Sequence, residues 1–336
     1  MDESDRTIVI LGKTGVGKSS VANTIFGEEV FNINDTANSE TSTCQAEARF
    51  VNGRSITLID TPGFFDTNTP AEGLKSEIIR CIIECALGPH AFLILLKVEK
   101  FTEQEQAVIR TIDEYFSEEV FKYATVLFTH GDQLKKGQTV EEFFHQNQHA
   151  SDLLKKCGGR CHVIDNKYWK NKNNEQEDDR SNPFQVKELL KTIDEMVKAN
   201  KGSCYTNEML QAVEEEIQQE VEELIRQSSG TLTRAEVREQ AKDRVFNRLT
   251  IKLAGIATGV LLGALFGATK MVGKVLLALA LGGAPAAAAA AVRGAVDVAV
   301  EAVKGGVAGY NASKGAATAR EAAERTAKHF KDRMHR

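Results

Sequence analysis

The chain has 336 residues, 42% of them hydrophobic, and a formal net charge of −5. That length allows two domains, or one domain with a long appendage, and the apolar share is enough for a full core. The modest acidic balance excludes general nucleic-acid binding through phosphates, so no nucleic-acid partner is expected.

In chain order, the apolar stretch Ile8–Leu11 reads as a buried strand and Ser20–Phe26 as the start of a helix. Between them lies Gly12-Lys13-Thr14-Gly15-Val16-Gly17-Lys18-Ser19, which fits the phosphate-cradling pattern G-x-x-x-x-G-K-[ST] in the strand–loop–helix context that the pattern requires. Glycines let backbone N–H groups converge on phosphate oxygens, and the helix N-terminus adds a positive dipole end. In this reading the loop and Ser20 cradle the phosphates, Lys18 reaches the outer ones, and the Ser19 hydroxyl sits on Mg²⁺. A glycine-rich turn with no ligand is the bland alternative.

Further strands are expected at Ala46–Phe50, Ile56–Ile59, Ala91–Val98, Thr125–Phe128 and His162–Ile164, and helices at Leu74–Ala86, Glu103–Phe116 and Val140–Lys156. The alternation predicts an α/β fold with a mostly parallel sheet covered on both faces. Phosphates in such sheets sit at the carboxyl ends of strands, where the Gly12 loop falls. Asp60-Thr61-Pro62-Gly63 closes the Ile56–Ile59 strand. Its carboxylate is placed to hold Mg²⁺ through water and Gly63 to meet a γ-phosphate. Either Thr41 or Thr43 offers a further hydroxyl to the metal.

After Thr125–Phe128, Thr129-His130-Gly131-Asp132 stands where guanine-specific folds carry N-K-x-D. Asp132 is placed to accept from N1–H and the exocyclic amine of guanine, a donor pair that adenine lacks. This argues against an adenine-nucleotide enzyme such as a small kinase. Asp165-Asn166 reads either as the other wall of the base site or as a turn. The polar run Tyr168–Pro183 reads as a surface loop. Val186, Leu189, Leu190, Ile193 and Val197 then mark a closing helix.

From Gly202 the character changes. Leu210, Val213, Ile217, Val221 and Leu224 trace a long acidic amphipathic helix, and Arg234–Lys252 is a basic stretch. Leu253–Thr269 and Val275–Val292 are uncharged, separated by Lys270 and Lys274, and Arg320–Arg336 is basic. Gly255, Gly259, Gly263 and Gly267 would form one flat stripe on a helix, as at contacts between membrane spans. Neither run exceeds the roughly 20 residues needed to cross a bilayer. A hairpin with both ends in the cytosol, an interfacial helix on anionic lipid, and a tail buried in an oligomer are the alternatives.

Cys81/Cys85 and Cys157/Cys161 do not have C-x-x-C spacing, so free thiols in a reducing cytoplasm are expected. The acidic start Met1-Asp2-Glu3-Ser4-Asp5 has neither an apolar signal core nor a glycine at position 2. Secretion and the usual myristoylation are therefore not expected.

Gly12–Ser20, the Thr-Cys of the first switch, Asp60–Phe65, Gly88–Leu96 running on through Phe101-Thr102-Glu103, Thr129–Asp132, Arg160–Val163, Asp165–Lys167 and Gly202–Met209 together resemble the GTPases of immunity-associated proteins, with their AIG-type guanine-nucleotide-binding domain. The resemblance covers residues 6–225 and implies a Ras-like phosphate-loop GTPase fold. It also implies binding of GTP or GDP with Mg²⁺, and nucleotide-dependent dimers or oligomers through that domain. The expected domains are 1–202 for the GTPase, 203–252 for an amphipathic or coiled-coil extension, and 253–336 for an Ala/Gly-rich region with a basic tail. A cytoplasmic protein at the cytosolic face of an intracellular membrane is the expected location. Two departures bear on catalysis. Phe64 stands where many small GTPases place a water-orienting glutamine. Lys100 stands where family members often carry arginine; it reads either as a surface residue or as a charge acting across a dimer without the two-pronged geometry. Lys18, Gly63 and Lys100 are thus the catalytic candidates, and turnover is expected to be slow.

Overall fold

A computed structural model describes residues 5–33, 43–65, 71–99, 102–169, 180–227 and 232–280. They form two compact units. One comprises the residues up to Glu77 with Gly88–Tyr205, and the other Ile78–Leu87 with the described residues from Thr206 onward.

The first unit is built on a six-stranded sheet: β1 (Arg6–Leu11), β2 (Gln45–Val51), β3 (Arg54–Asp60), β4 (Ala91–Lys97), β5 (Ala124–Thr129) and β6 (Cys161–Val163). The order is β2-β3-β1-β4-β5-β6, antiparallel only between β2 and β3. Asn52 and Gly53, both at positive φ, make the tight turn of that hairpin, as an Asn-Gly pair favours. β1, β4 and β5 are near-continuous apolar runs because helices cover both faces of a parallel sheet. Since β3 and β4 flank β1 on opposite sides, the loop after β1 lies at the topological switch point, where such sheets open a crevice.

Leu93 and Leu95 point to one face of the sheet and join a core with Val21 and Ile25 of α1 (Lys18–Phe26) and Leu189, Leu190, Ile193 and Val197 of a closing helix. On the other face Phe92 packs edge-on against Tyr205, with ring centroids 5.4 Å apart. In chain order α2 (Ala71–Glu84) follows β3 and runs from one unit into the other. α3 (Glu103–Tyr115) and α4 (Glu118–Phe121) connect β4 to β5.

The helix expected over Val140–Lys156 is two helices, α5 (Val140–Phe144) and α6 (Gln148–Lys156). Asn147 takes an extended conformation and its side chain accepts from Ala150 N at 3.1 Å, capping α6 and ending the continuity. The closing helix is α7 (Asn182–Ala199), with Ser181 as its cap and Pro183 in its first turn, so it starts earlier than the apolar periodicity indicates.

His90 ties the start of β4 to β1: its N donates to Thr7 O at 2.7 Å, and its Nδ1 accepts from Thr7 N at 3.0 Å. Burial, and then the nearby Arg6 cation, push His90 below the ordinary histidine range. Burial does the same to His162. A histidine whose folded pKa is depressed leaves the unfolded chain binding the extra proton first, so stability falls as pH drops below the ordinary histidine value. The unfolding midpoint is expected to fall from about pH 7.5 to about pH 5.5, more shallowly in His90→Asn, which keeps an acceptor but cannot titrate. An unchanged slope in that variant removes His90 as a cause.

In the second unit α8 (Glu208–Gln227) and α9 (Arg234–Lys252) are joined by ion pairs, followed by α10 (Thr258–Leu265) and α11 (Thr269–Ala280). Arg238 grips Glu214 with two nitrogens at 3.0 and 2.7 Å, Arg244 reaches Glu220 at 2.8 Å, and Lys252 reaches Glu216 at 2.8 Å. Lys242 pairs with Glu84 of α2 at 2.8 Å. The basic stretch Arg234–Lys252 is therefore largely turned onto the acidic helix before it, which leaves less free charge for lipid than its composition implies. Residues 206–252 and 253–280 both fall in this unit.

The glycine stripe does not form. Gly255 lies in the turn before α10, Gly259 and Gly263 are within it, and Gly267 sits at φ 78° in the turn after it. Gly263 instead makes room for the sulfur of Met271, so its missing Cβ serves the packing of α11 on α10. Among the described residues no helix is long and apolar enough to cross a membrane. Residues 281–292 and the basic run Arg320–Arg336 lie outside the described residues.

Candidate functional site

The loop after β1 turns over Val16 N→Lys13 O at 3.3 Å and enters α1 through Gly17. Gly15 and Gly17 stand at φ 73° and 95°, conformations that a side chain would strain. A Cβ on Gly12 would fall 2.8 Å from Val16 Cγ1 and 3.1 Å from Leu95 O, so the loop presses on β4. The N-cap of α1 is Gly17, which makes no side-chain cap hydrogen bond.

Lys18 is 5% exposed, and its Nζ donates to the carbonyls of Gly12 (3.3 Å) and Lys13 (3.1 Å). Ser19 Oγ donates to Asp60 Oδ2 at 2.6 Å. Asp60 is 1% exposed, and its Oδ1 is buried without a hydrogen-bond partner. Burial raises the Asp60 carboxyl above the ordinary range, against the opposing pull of Ser19 and Lys18. An orphaned carboxylate oxygen beside a serine hydroxyl is a hard-oxygen donor set of the kind Mg²⁺ takes, and a bound cation would remove the cost of that buried charge. The residues present therefore fit the ion. Thr61 Oγ1 donates to Ile10 O at 2.7 Å, fixing Asp60 against β1. Gly63 and Phe64 are buried, with Phe64 N donating to Pro62 O at 2.8 Å.

Thr129 is fully buried and its hydroxyl donates to Val16 O at 2.9 Å, so it anchors the loop. His130 is exposed at φ 61°, its Nδ1 3.0 Å from the Thr129 hydroxyl. Asp132 is half-buried, and its N donates to Asp165 Oδ2 at 3.3 Å. Burial and the neighbouring Asp165 raise the Asp132 carboxyl. Asp165 is 2% exposed, and its Oδ1 accepts from the backbones of Lys167 (2.9 Å) and Tyr168. Burial would push its carboxyl up; these N–H bonds and Asp132 hold it below the ordinary range. Asp165 thus organises a turn and supports Asp132. Asn166 accepts from Thr24 Oγ1 at 3.2 Å, and its amide lies over Gly17.

Among the expected residues, the structure brings together Gly12–Ser20, Asp60, Thr129 and Asn166. Asp132 sits next to that cluster, on the turn that Asp165 holds. Thr43 is exposed, its hydroxyl accepting weakly from Gln45 Nε2 at 3.4 Å. Thr41 and Lys100 lie outside the described residues. Lys13 lines the loop with its backbone while its side chain leaves the loop for Glu105 and Glu99. Asn182, which bonds Asp165 N (3.1 Å) and O (2.7 Å), has no signature of its own beyond the Ser181-Asn182-Pro183 helix start.

A family model described as the AIG1 family matches residues 6–225. This chain belongs to the AIG1 family. Among similar proteins, the AIG1-family chain is 35% identical over 214 residues to Immune-associated nucleotide-binding protein 9 of Arabidopsis thaliana, covering 63% of this chain and 60% of that protein. Immune-associated nucleotide-binding protein 4 of the same plant is 31% identical over 245 residues, covering 71% and 73%. The chain spans 60% of the length of the first, and 46% of Immune-associated nucleotide-binding protein 10. Among solved structures, Toc33 from Arabidopsis thaliana in complex with GDP and Mg2+ aligns with TM-score 0.46 and 19% identity, covering 58% of this chain and 85% of that one. An Aquifex aeolicus Era variant bound to GDP.AlF4- aligns with TM-score 0.41 and 19% identity, covering 61% and 58%.

Proposed function

We propose that this AIG1-family chain is a guanine-nucleotide switch that binds GTP or GDP with Mg²⁺. The buried Ser19–Asp60 pair with its orphaned oxygen, beside Lys18 at the switch point of the sheet, carries this reading. Ser19 and Asp60 would hold Mg²⁺, which supplies charge neutralisation at the phosphates, with Thr41 or Thr43 joining from the first switch. Lys18 and the loop N–H groups would hold the phosphates, Gly63 would meet the γ-phosphate, and Asp132 would read the base. Membership of a family whose relatives are named nucleotide-binding supports it.

Hydrolysis would be slow, because a phenyl ring at Phe64 cannot orient the attacking water. Assembly through the nucleotide unit, with Lys100 acting across a dimer, and residence at the cytosolic face of an intracellular membrane belong to the same proposal and rest on the family resemblance. The enclosure of Phe64 favours a second reading, a GTP-bound scaffold that barely turns over and acts by oligomerising.

Fluorescent GTP is expected to bind in a Mg²⁺-dependent manner, displaced by GTP and GDP and not by ATP. ATP displacement would overturn the guanine assignment. Phosphate release per molecule that climbs with protein concentration supports the switch and sinks the scaffold. Flotation with anionic vesicles that survives deletion of 253–292 would remove that segment as the anchor.

A further inference from the structure

The phosphate loop carries a second lysine, and the nucleotide reading gives its side chain no role. The carbonyl of Lys13 accepts from both Lys18 Nζ (3.1 Å) and Val16 N (3.3 Å), so this one peptide helps set the geometry of the whole loop. The Lys13 ammonium donates to Glu105 Oε1 and lies 3.6 Å from Glu99 Oε1. Glu105 belongs to the first turn of α3 and is only 5% exposed. Its other oxygen, Oε2, accepts from Thr102 N at 3.2 Å and from the Thr102 hydroxyl, which caps the helix. One buried carboxylate therefore serves two elements: it caps α3 and restrains the loop. Burial works against its charge, but Lys13 and Thr102 win and hold its carboxyl at about 2. The Lys13–Glu105 contact is thus a charge-assisted one at neutral pH.

The loop needs such restraint. It has glycines at 12, 15 and 17, and glycine loses the most conformational freedom on being ordered. Thr129 fixes the loop at Val16, and Glu105 fixes it at Lys13, on opposite sides of the turn.

We infer that Glu105 is a positioning residue for the phosphate loop: through its ion pair with Lys13 it holds the Gly12–Lys13 carbonyls where they orient Lys18, and it keeps the Lys13 cation turned away from the phosphates. The inference rests on the nucleotide reading of that loop and adds to it a residue outside the phosphate, metal and base motifs. Because the restraint acts on the part of the site common to GDP and GTP, its loss shortens the residence of both alike.

The test measures release of fluorescent GDP and GTP from the full chain by stopped flow, in Glu105→Gln, Lys13→Met and the double variant. Gln can still cap Thr102 but cannot pair ionically with Lys13, so Glu105→Gln separates restraint from capping. Release is expected to quicken roughly tenfold in either single variant, equally for both nucleotides and with no further gain in the double, as one shared charge-assisted bond predicts. The association rate stays near wild type, and the melting temperature stays near wild type in Glu105→Gln, which keeps the cap. Wild-type release in both single variants, or additive effects in the double, overturns the inference while leaving nucleotide binding intact. If Glu105→Gln fails to fold, Lys13→Met decides alone. A wild-type chain that binds no guanine nucleotide removes the nucleotide reading and this inference together.

Discussion

Replacing Lys18 with alanine is expected to lower the affinity for GTP and GDP by at least roughly 100-fold, with little loss of fold stability. The asymmetry follows from what the ammonium does in each state. In the free protein it bonds two loop carbonyls, Gly12 O at 3.3 Å and Lys13 O at 3.1 Å, both long contacts. Losing them costs the fold about 1 kcal/mol, because water can enter the concave loop and take over those acceptors. With nucleotide present the same group faces phosphate oxygens in a site where Asp60 already brings a negative charge. Removing the cation there leaves phosphate and carboxylate facing each other with one less compensating charge, a loss of about 3 kcal/mol or more. Titration calorimetry of wild type and variant at saturating Mg²⁺, with melting curves of both, separates the two effects. Equal affinity would mean that the loop is a structural turn, and the proposed function would fall with it.

The features legible in the sequence are those carried by local chemistry. Ile8–Leu11 and Ala91–Val98 read as strands because a strand buried on both faces has no polar side, and the loop between β1 and α1 is written in glycines whose φ values it requires. Asp60 could be placed because it ends an apolar strand. The residues that escaped are those whose role is decided by a partner distant in sequence. Asn147 looks like one more polar position on an amphipathic helix until its side chain caps Ala150. The lysines and arginines of α9 read as a free basic face, since nothing local reveals that Glu214, Glu216, Glu220 and Glu84 meet them. The glycine spacing from 255 to 267 fits a membrane contact, and only the turns at Gly255 and Gly267 break it. Glu105 had a local signal, the Thr102–Glu105 capping box, but its bond to Lys13 depended on the sheet order that brings β4 beside β1.

Asp132→Asn is expected to exchange guanine for xanthine: GTP affinity falls roughly 100-fold and XTP becomes the preferred nucleotide. A carboxylate offers two acceptors, matching the N1–H and exocyclic amine of guanine. An amide offers one acceptor and one donor, which matches the N1–H and C2 carbonyl of xanthine and sets donor against donor with guanine. Backbone geometry should hold, because the Asp132 backbone N donates to Asp165 Oδ2 at 3.3 Å, a bond that the substitution keeps. Charge favours the variant as well. Burial and Asp165 already raise the Asp132 carboxyl, so neutralising it relieves a like-charge pair, and the free protein should melt no lower than wild type. Competition of XTP and GTP for a fluorescent guanine nucleotide, measured beside melting curves, reads both effects. A variant that loses GTP without gaining XTP, at unchanged stability, would move base reading away from Asp132. The remaining place for it would be the turn at Asp165-Asn166, where Asn166 lies over Gly17 at the start of α1.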